Sequence, residues 1–156
     1  MVRRKFSKRK NVLSDPVYNS YLIQLLTNNL LKKGKKNLAY KIVQKTLDII
    51  EERIQDDAIL ILDKALNNLR PSVEIKTKRI GGAVYKIPME INYYRSLTLS
   101  IQLLLKAINK KTGKSLYHKL ANEILDASNN TGFAIRKKEE IHRIAEANIK
   151  VKKNKN

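Results

Sequence analysis

Thr112-Gly113-Lys114-Ser115 has the residue order that closes a phosphate-binding P-loop. That loop requires an earlier glycine, at the position held by Ile108, and a strand in front of it. Helical spacing precedes it instead, so we expect a basic interhelix loop. His142 follows Glu139 and Glu140, a grouping able to bind metal or move protons. The only other histidine is His118, and no His-Glu-x-x-His spacing exists, so the expectation is a surface helix with Lys137 and Lys138 paired to nearby glutamates. Gly81 and Gly82 are not spaced as a phosphate cradle, but they permit positive φ at a hairpin tip. Tyr18, Tyr21, Tyr40, Tyr85, Tyr93, Tyr94 and Tyr117 sit at spacings that suit core or half-core residues. Tyr85 and the Tyr93-Tyr94 pair lie nearest a basic hairpin, where one or two rings could stack on bases.

The basic clusters carry more information than any of these. The 156 residues hold 33 Lys+Arg against 14 Asp+Glu, a formal charge of +19. Residues 1–36 are net +9, 37–75 net −2, 76–95 net +4, 96–126 net +3 and 127–156 net +5. Several patches therefore converge on one polyanion, in place of a single basic tail on an inert body. Such a charge repels itself, and a polyanion relieves the repulsion. The hydrophobic share of 42% suffices for one packed domain. No cysteine is present, which excludes disulfides, thiol chemistry and cysteine-ligated metals. The longest apolar run, Ala58 to Leu62, is too short to span a membrane, and no secretory signal opens the chain. Neither metal nor cofactor is expected. Lys, Asn and Ile make up 57 residues, and their A/T-rich codons suggest a compact organellar genome.

The elements that position these patches follow from periodicity. Residues 1–14 read as a basic arm. Asp15-Pro16 signals a helix start, with Asp as N-cap and Pro in the first turn. Tyr18, Tyr21, Leu22, Leu25, Leu26 and Leu30 then recur at helical spacing, and Gly34 suits a left-handed cap. A second helix carries Ala39, Val43, Thr46, Leu47, Ile50 and Ile54 inward. Asp56-Asp57 caps a third, which Arg70-Pro71 ends. The period then falls to two on either side of Gly81-Gly82, predicting a β-hairpin over about 72–91. Pro88 is tolerated because a two-stranded ribbon has only edges. Helical spacing returns over Arg95–Ile108, Leu116–Ala127 and about Ala134–Ile149, the last with Ile141, Ile144 and Ala145 inward. The expected fold is mainly α: a six-helix bundle with a projecting two-stranded β-hairpin between helices 3 and 4. One domain spans 15–149, followed by a basic tail over 150–156.

The segment Arg70 to Ile91, RPSVEIKTKRIGGAVYKIPMEI, resembles the hairpin signature of the small-subunit ribosomal protein seven family, of bacterial and organellar type. Arg3-Arg4 with Ser14-Asp15-Pro16, Gly34-Lys35-Lys36 with Ala39, Ala121-Asn122-Glu123, and Ala134 to Asn148 resemble its other blocks in order. The final helix is most similar to plastid members. The resemblance implies a non-catalytic primary binder of small-subunit rRNA that nucleates the 3′ major domain, the head. It also implies a position near exit-site tRNA and the mRNA exit path, beside other head and platform proteins. The rRNA-binding residues it implies are Arg3, Arg4, Lys8 and Arg9 in the arm, Lys35 and Lys36, Lys76, Lys78 and Arg79 in the hairpin, and Lys114. Arg136, Lys137, Lys138, His142 and Arg143 complete them on the last helix. The chain departs from the family in lacking a large aromatic in the fourth helix, where Leu and Ile must fill the core, and in its tail after Asn148.

A free-standing regulator of mRNA or DNA could use the same patches, but it would not need the whole-chain match. A nucleic-acid enzyme would need carboxylates clustered near the hairpin, where only Glu74 and Glu90 lie apart on two strands. A membrane-surface role would need an apolar helix face without a partner. The compartment expected is a plastid ribosome, with a mitochondrion or the bacterial cytoplasm as alternatives.

Overall fold

Aliphatic stripes gather six helices around one core. They are α1 (Tyr21–Leu30), α2 (Lys36–Ile54), α3 (Ala58–Leu69), α4 (Tyr93–Lys110), α5 (Leu116–Ser128) and α6 (Phe133–Lys153), with β1 (Val73–Ile80) and β2 (Ala83–Glu90) between α3 and α4. The computed structural model describes residues 13–80, 82–113 and 115–153. α5 packs against α2, α3, α4 and α6. Leu26, Leu47, Ile50, Leu62, Leu104 and Ile124 are almost wholly buried, each contributing about 1.5–3 kcal/mol on removal from water. The described core is aliphatic, and α4 contributes Leu97, Ile101, Leu104 and Ile108 to it, the Leu and Ile filling expected of a fourth helix without a large aromatic.

Several local expectations shift. Asp15 does not cap α1. Its Oδ2 accepts from the Val17 and Tyr18 amides, closing a turn, and Asn19 at φ 47° interrupts the chain before the helix begins at Tyr21. Gly34 is not the α1 cap either. Leu31 ends the helix at φ −56° and ψ 125°, and the left-handed Lys33 and Gly34 turn the chain toward α2. Ile54 is 41% exposed, because its stripe runs out into solvent at a terminal turn closed by left-handed Gln55. β2 stops at Glu90, while α4 starts two residues before Arg95 and ends two beyond Ile108. α6 continues to Lys153, so the start of the expected tail is helical. Ile141 and Ile144 are only half-buried, and the α6 face turned inward is completed by Ala134, Ile135 and Ala145.

The strands pair antiparallel with Ile80 opposite Ala83, so a two-residue turn joins them. Gly82 takes φ 86°, and Gly81 lies outside the described residues. Because side chains alternate, this register sets the apolar run of one strand beside polar residues of the other. Val73 and Ile75 share a face with Glu90, Pro88 and Lys86, and Tyr85 and Ile87 share the other with Lys78 and Lys76. The ribbon thus has no single oily face. Both strands lean on α6, as an isolated hairpin must lean on something.

The ends of four helices meet at one polar junction. Glu123, on the inward face of α5, is 0% exposed. Its Oε1 accepts from the Ala134 amide at 2.8 Å and so satisfies the start of α6. Its Oε2 lies 2.5 Å from Nζ of Lys111, the residue that ends α4; no well-aligned hydrogen bond forms, and the contact is an ion pair. Burial pulls the Lys111 ammonium down, but the facing carboxylates of Glu123 and Asp126 outweigh it and leave it raised. Asn68 donates to the Ala127 and Ser128 carbonyls that end α5, and Lys138 on α6 donates to the Asn68 carbonyl near the end of α3. Gly132, just before α6, has φ 97°. A Cβ there would sit 3.0 Å from both Asp126 Cβ and Glu123 Oε1.

Gly132→Ala is expected to lower unfolding free energy by about 1–3 kcal/mol, since strain and crowding add; urea denaturation measures it. Tyr40 donates to Gln24 Oε1 at 2.5 Å, and burial, followed by the Asp15 carboxylate, pushes its phenol up from the ordinary 10.0. The folded state then holds that proton more tightly than the unfolded chain. The associated stability is complete below about pH 10 and lost as pH rises further. The wild-type advantage over Tyr40→Phe, up to about 1 kcal/mol at pH 7, should therefore narrow above pH 10 in paired urea titrations. A gap that widens contradicts this assignment.

Candidate nucleic-acid interface

Two neighbourhoods of exposed cations emerge. The first is the hairpin with α6. Lys76, Lys78, Arg79 and Lys86 are exposed along the outer ribbon, Lys76 and Lys78 on one face and Arg79 and Lys86 on the other. Arg136 and Arg143 are exposed on α6, seven residues apart and hence on one side of that helix. The Arg136 guanidinium lies 5.7 Å from the Phe133 ring centroid. Lys137 pairs with Glu140 one turn on, and that contact, with the nearby Lys110 and Arg143, holds the Glu140 carboxyl below its usual range.

Lys138 and His142 are turned differently. Lys138 does not pair with a glutamate as expected. Its Nζ donates to the Asn68 carbonyl at 2.6 Å. His142 Nε2 accepts from the Ser72 amide at 3.2 Å, where the chain enters β1. Four residues apart on one side of α6, the two fasten that helix to the end of α3 and the foot of the hairpin. A second brace crosses from α4. Arg95 donates to both Glu74 oxygens, at 2.5 and 3.3 Å, and these bonds hold the Glu74 carboxyl below its usual range.

The second neighbourhood is the α1–α2 loop. Lys32, Lys33 and Lys35 rim a groove of about 410 Å³ whose floor is Leu30, Leu38, Ile42, Leu105 and Leu116. Lys35 occupies the N-cap position of α2, and Lys36 lies 5.6 Å from the Tyr40 ring centroid. Arg3, Arg4, Lys8, Arg9 and Lys114 lie outside the described residues. The P-loop-like tetrapeptide indeed follows a helix, α4. Among the described residues no group of three His, Asp or Glu comes together to hold a metal ion, and no helix is long and apolar enough to cross a membrane.

This arrangement, six helices with a basic ribbon after the third and a basic last helix beneath it, coincides with a match over residues 2–149 to the family described as ribosomal protein S7p/S5e. The chain belongs to that family. Among similar S7 proteins, the small ribosomal subunit protein uS7c of Tupiella akineta is 45% identical over 95% of each chain. Those of Prototheca wickerhamii and Cyanophora paradoxa are 45% and 44% identical over the same shares. S7-family proteins are structural components of the ribosome and not enzymes. Sequence reasoning missed the positioning roles of Glu123, Asn68 and Lys111. One signal was available for Glu123: it lies among Leu120, Ile124 and Ala127, on the stripe that α5 buries.

His142→Ala is expected to lower stability by about 0.5–1.5 kcal/mol and to speed hydrogen exchange at the Ser72 amide, read by NMR, while α2 amides keep their protection. Unchanged Ser72 exchange would show that the hairpin foot is held by other contacts.

Proposed function

We propose that this chain is a primary rRNA-binding protein of a plastid small ribosomal subunit that nucleates the head, the 3′ major domain, and sits near exit-site tRNA and the mRNA exit path. The observation that carries the reading is the junction of hairpin and α6. Lys76, Lys78 and Arg79 are exposed on a ribbon whose strands pack against a helix that exposes Arg136 and Arg143, in an S7-family fold. The plastid assignment is supported by the uS7c names of the similar proteins and by the A/T-biased composition.

In this reading phosphate contacts supply most of the affinity, and the shape of folded RNA sets the register. Arg3, Arg4, Lys8, Arg9, Lys35, Lys36, Lys76, Lys78, Arg79, Lys114, Arg136, Lys137 and Arg143 are the proposed phosphate-facing set. Lys138 and His142 act by holding α6 and the hairpin in mutual position, consistent with their internal bonds. The ribbon can grip RNA from two sides, because its cations occupy both faces.

Binding of the purified chain to a 3′ major-domain rRNA fragment, against a scrambled RNA of equal length, tests the proposal. A preference of about 100-fold or more that survives moderate salt is expected, since shape recognition then exceeds generic charge attraction. With about ten phosphates neutralised, the slope of log K against log salt should be about −7 to −9. Equal binding to both RNAs, collapsing together as salt rises, would refute the primary-binder reading.

A further inference from the structure

Tyr93 and Tyr94 open α4 beside the foot of the hairpin and are 61% and 74% exposed. Water-facing rings of this size are unusual beside an otherwise aliphatic core, and they are not loose. Their centroids are 5.8 Å apart with planes at 89°, an edge-on pair. Arg70 fixes Tyr93: its guanidinium carbon lies 4.2 Å from the ring centroid, and Nη2 donates to the Tyr93 hydroxyl at 3.0 Å. Tyr93 in turn braces Tyr94. The Tyr94 ring touches Tyr93, and its hydroxyl finds no partner among the described residues.

The surrounding charge indicates what this ring takes. Arg95 is neutralised by Glu74, Arg70 is engaged with Tyr93, and Glu90 is exposed nearby at the end of β2. The patch is thus close to neutral, unlike the lysine-rich outer ribbon a few residues away. A phosphate has little to gain here. A planar, uncharged base loses nothing by lying on an exposed ring, and such stacking is worth most when the ring is already held. A protein neighbour would also cover an aromatic, but two rings at the root of a basic RNA-directed arm suit one or two bases better.

We infer that Tyr94 is a stacking platform for an unpaired base of the bound RNA, with Tyr93 and Arg70 as positioning residues that hold its ring. This rests on the RNA-binding reading above and adds a contact that is not electrostatic. The difference is measurable, because stacking and phosphate contacts respond differently to salt. Affinity for the 3′ major-domain fragment is measured across a salt series for wild type, Tyr94→Ala, Tyr94→Phe and Lys78→Ala, with circular dichroism to verify folding. Tyr94→Ala should weaken binding about 5- to 100-fold by the same factor at every salt concentration, and Tyr94→Phe should remain near wild type. Lys78→Ala should instead flatten the salt slope by about one. Wild-type affinity in Tyr94→Ala overturns the inference. Equal losses in Ala and Phe overturn it in favour of a hydroxyl contact. If wild type itself fails to prefer the fragment, it is the RNA-binding reading that has failed.

Discussion

The carboxylate of Glu123 is enclosed by protein, and a buried charge is tolerated only where cations and donors surround it. It meets that condition by linking three helices: it resides on α5, faces the Lys111 ammonium that ends α4, and accepts from the Ala134 amide at the start of α6. Its neighbours extend the same logic. Asn68 satisfies the carbonyls that end α5, and Lys138 satisfies one near the end of α3. Helix ends carry unpaired backbone groups, and here the ends of α3 and α5 and the start of α6 find partners on other helices. The direction of α6 is thereby fixed, and α6 is the surface against which the hairpin rests.

The hairpin illustrates a second constraint. A two-stranded ribbon cannot bury a face of its own, so its inner end must borrow one. It does so from α6 through the Ser72–His142 bond and from α4 through Glu74–Arg95. The outer half makes no such demand on packing, and its register mixes aliphatic and basic side chains on both faces. Methylenes and aliphatic neighbours keep the ribbon ordered while ammonium and guanidinium groups stay in water. An arm built this way suits an extended, polyanionic partner better than a flat protein surface.

A chain with a net charge of +19 resists its own compaction. The acidic residues are arranged where they help most: Glu123 and Asp126 hold Lys111, Glu140 holds Lys137, and Glu74 holds Arg95. Among the described residues, Lys76, Lys78, Arg79, Arg136 and Arg143 have no such partner close by and stay exposed on the ribbon and the last helix. Affinity from such cations is sensitive to salt, whereas a ring such as Tyr94 would add a contribution that is not.

The sequence by itself determined the order and type of the elements, because each leaves a local mark. Apolar residues recur with period 3.6 in the six helices and with period two around Gly81-Gly82, Asp57 caps α3, and Arg70-Pro71 ends it. The candidate basic segments were visible for the same reason, since charge is a property of composition. What needed the tertiary structure was every role defined by a distant partner. Lys138 and His142 look like two more surface cations in sequence, yet they bond to residues 70 positions away. Asp15 reads as a helix cap until Asn19 turns the chain. Glu123 reads as one glutamate among several until α4 and α6 converge on it, and Tyr94 becomes distinctive only when Arg70 is seen to hold its neighbour. Periodicity and propensity act over a few residues, whereas burial, ion pairing and exposure are decided by which helices meet.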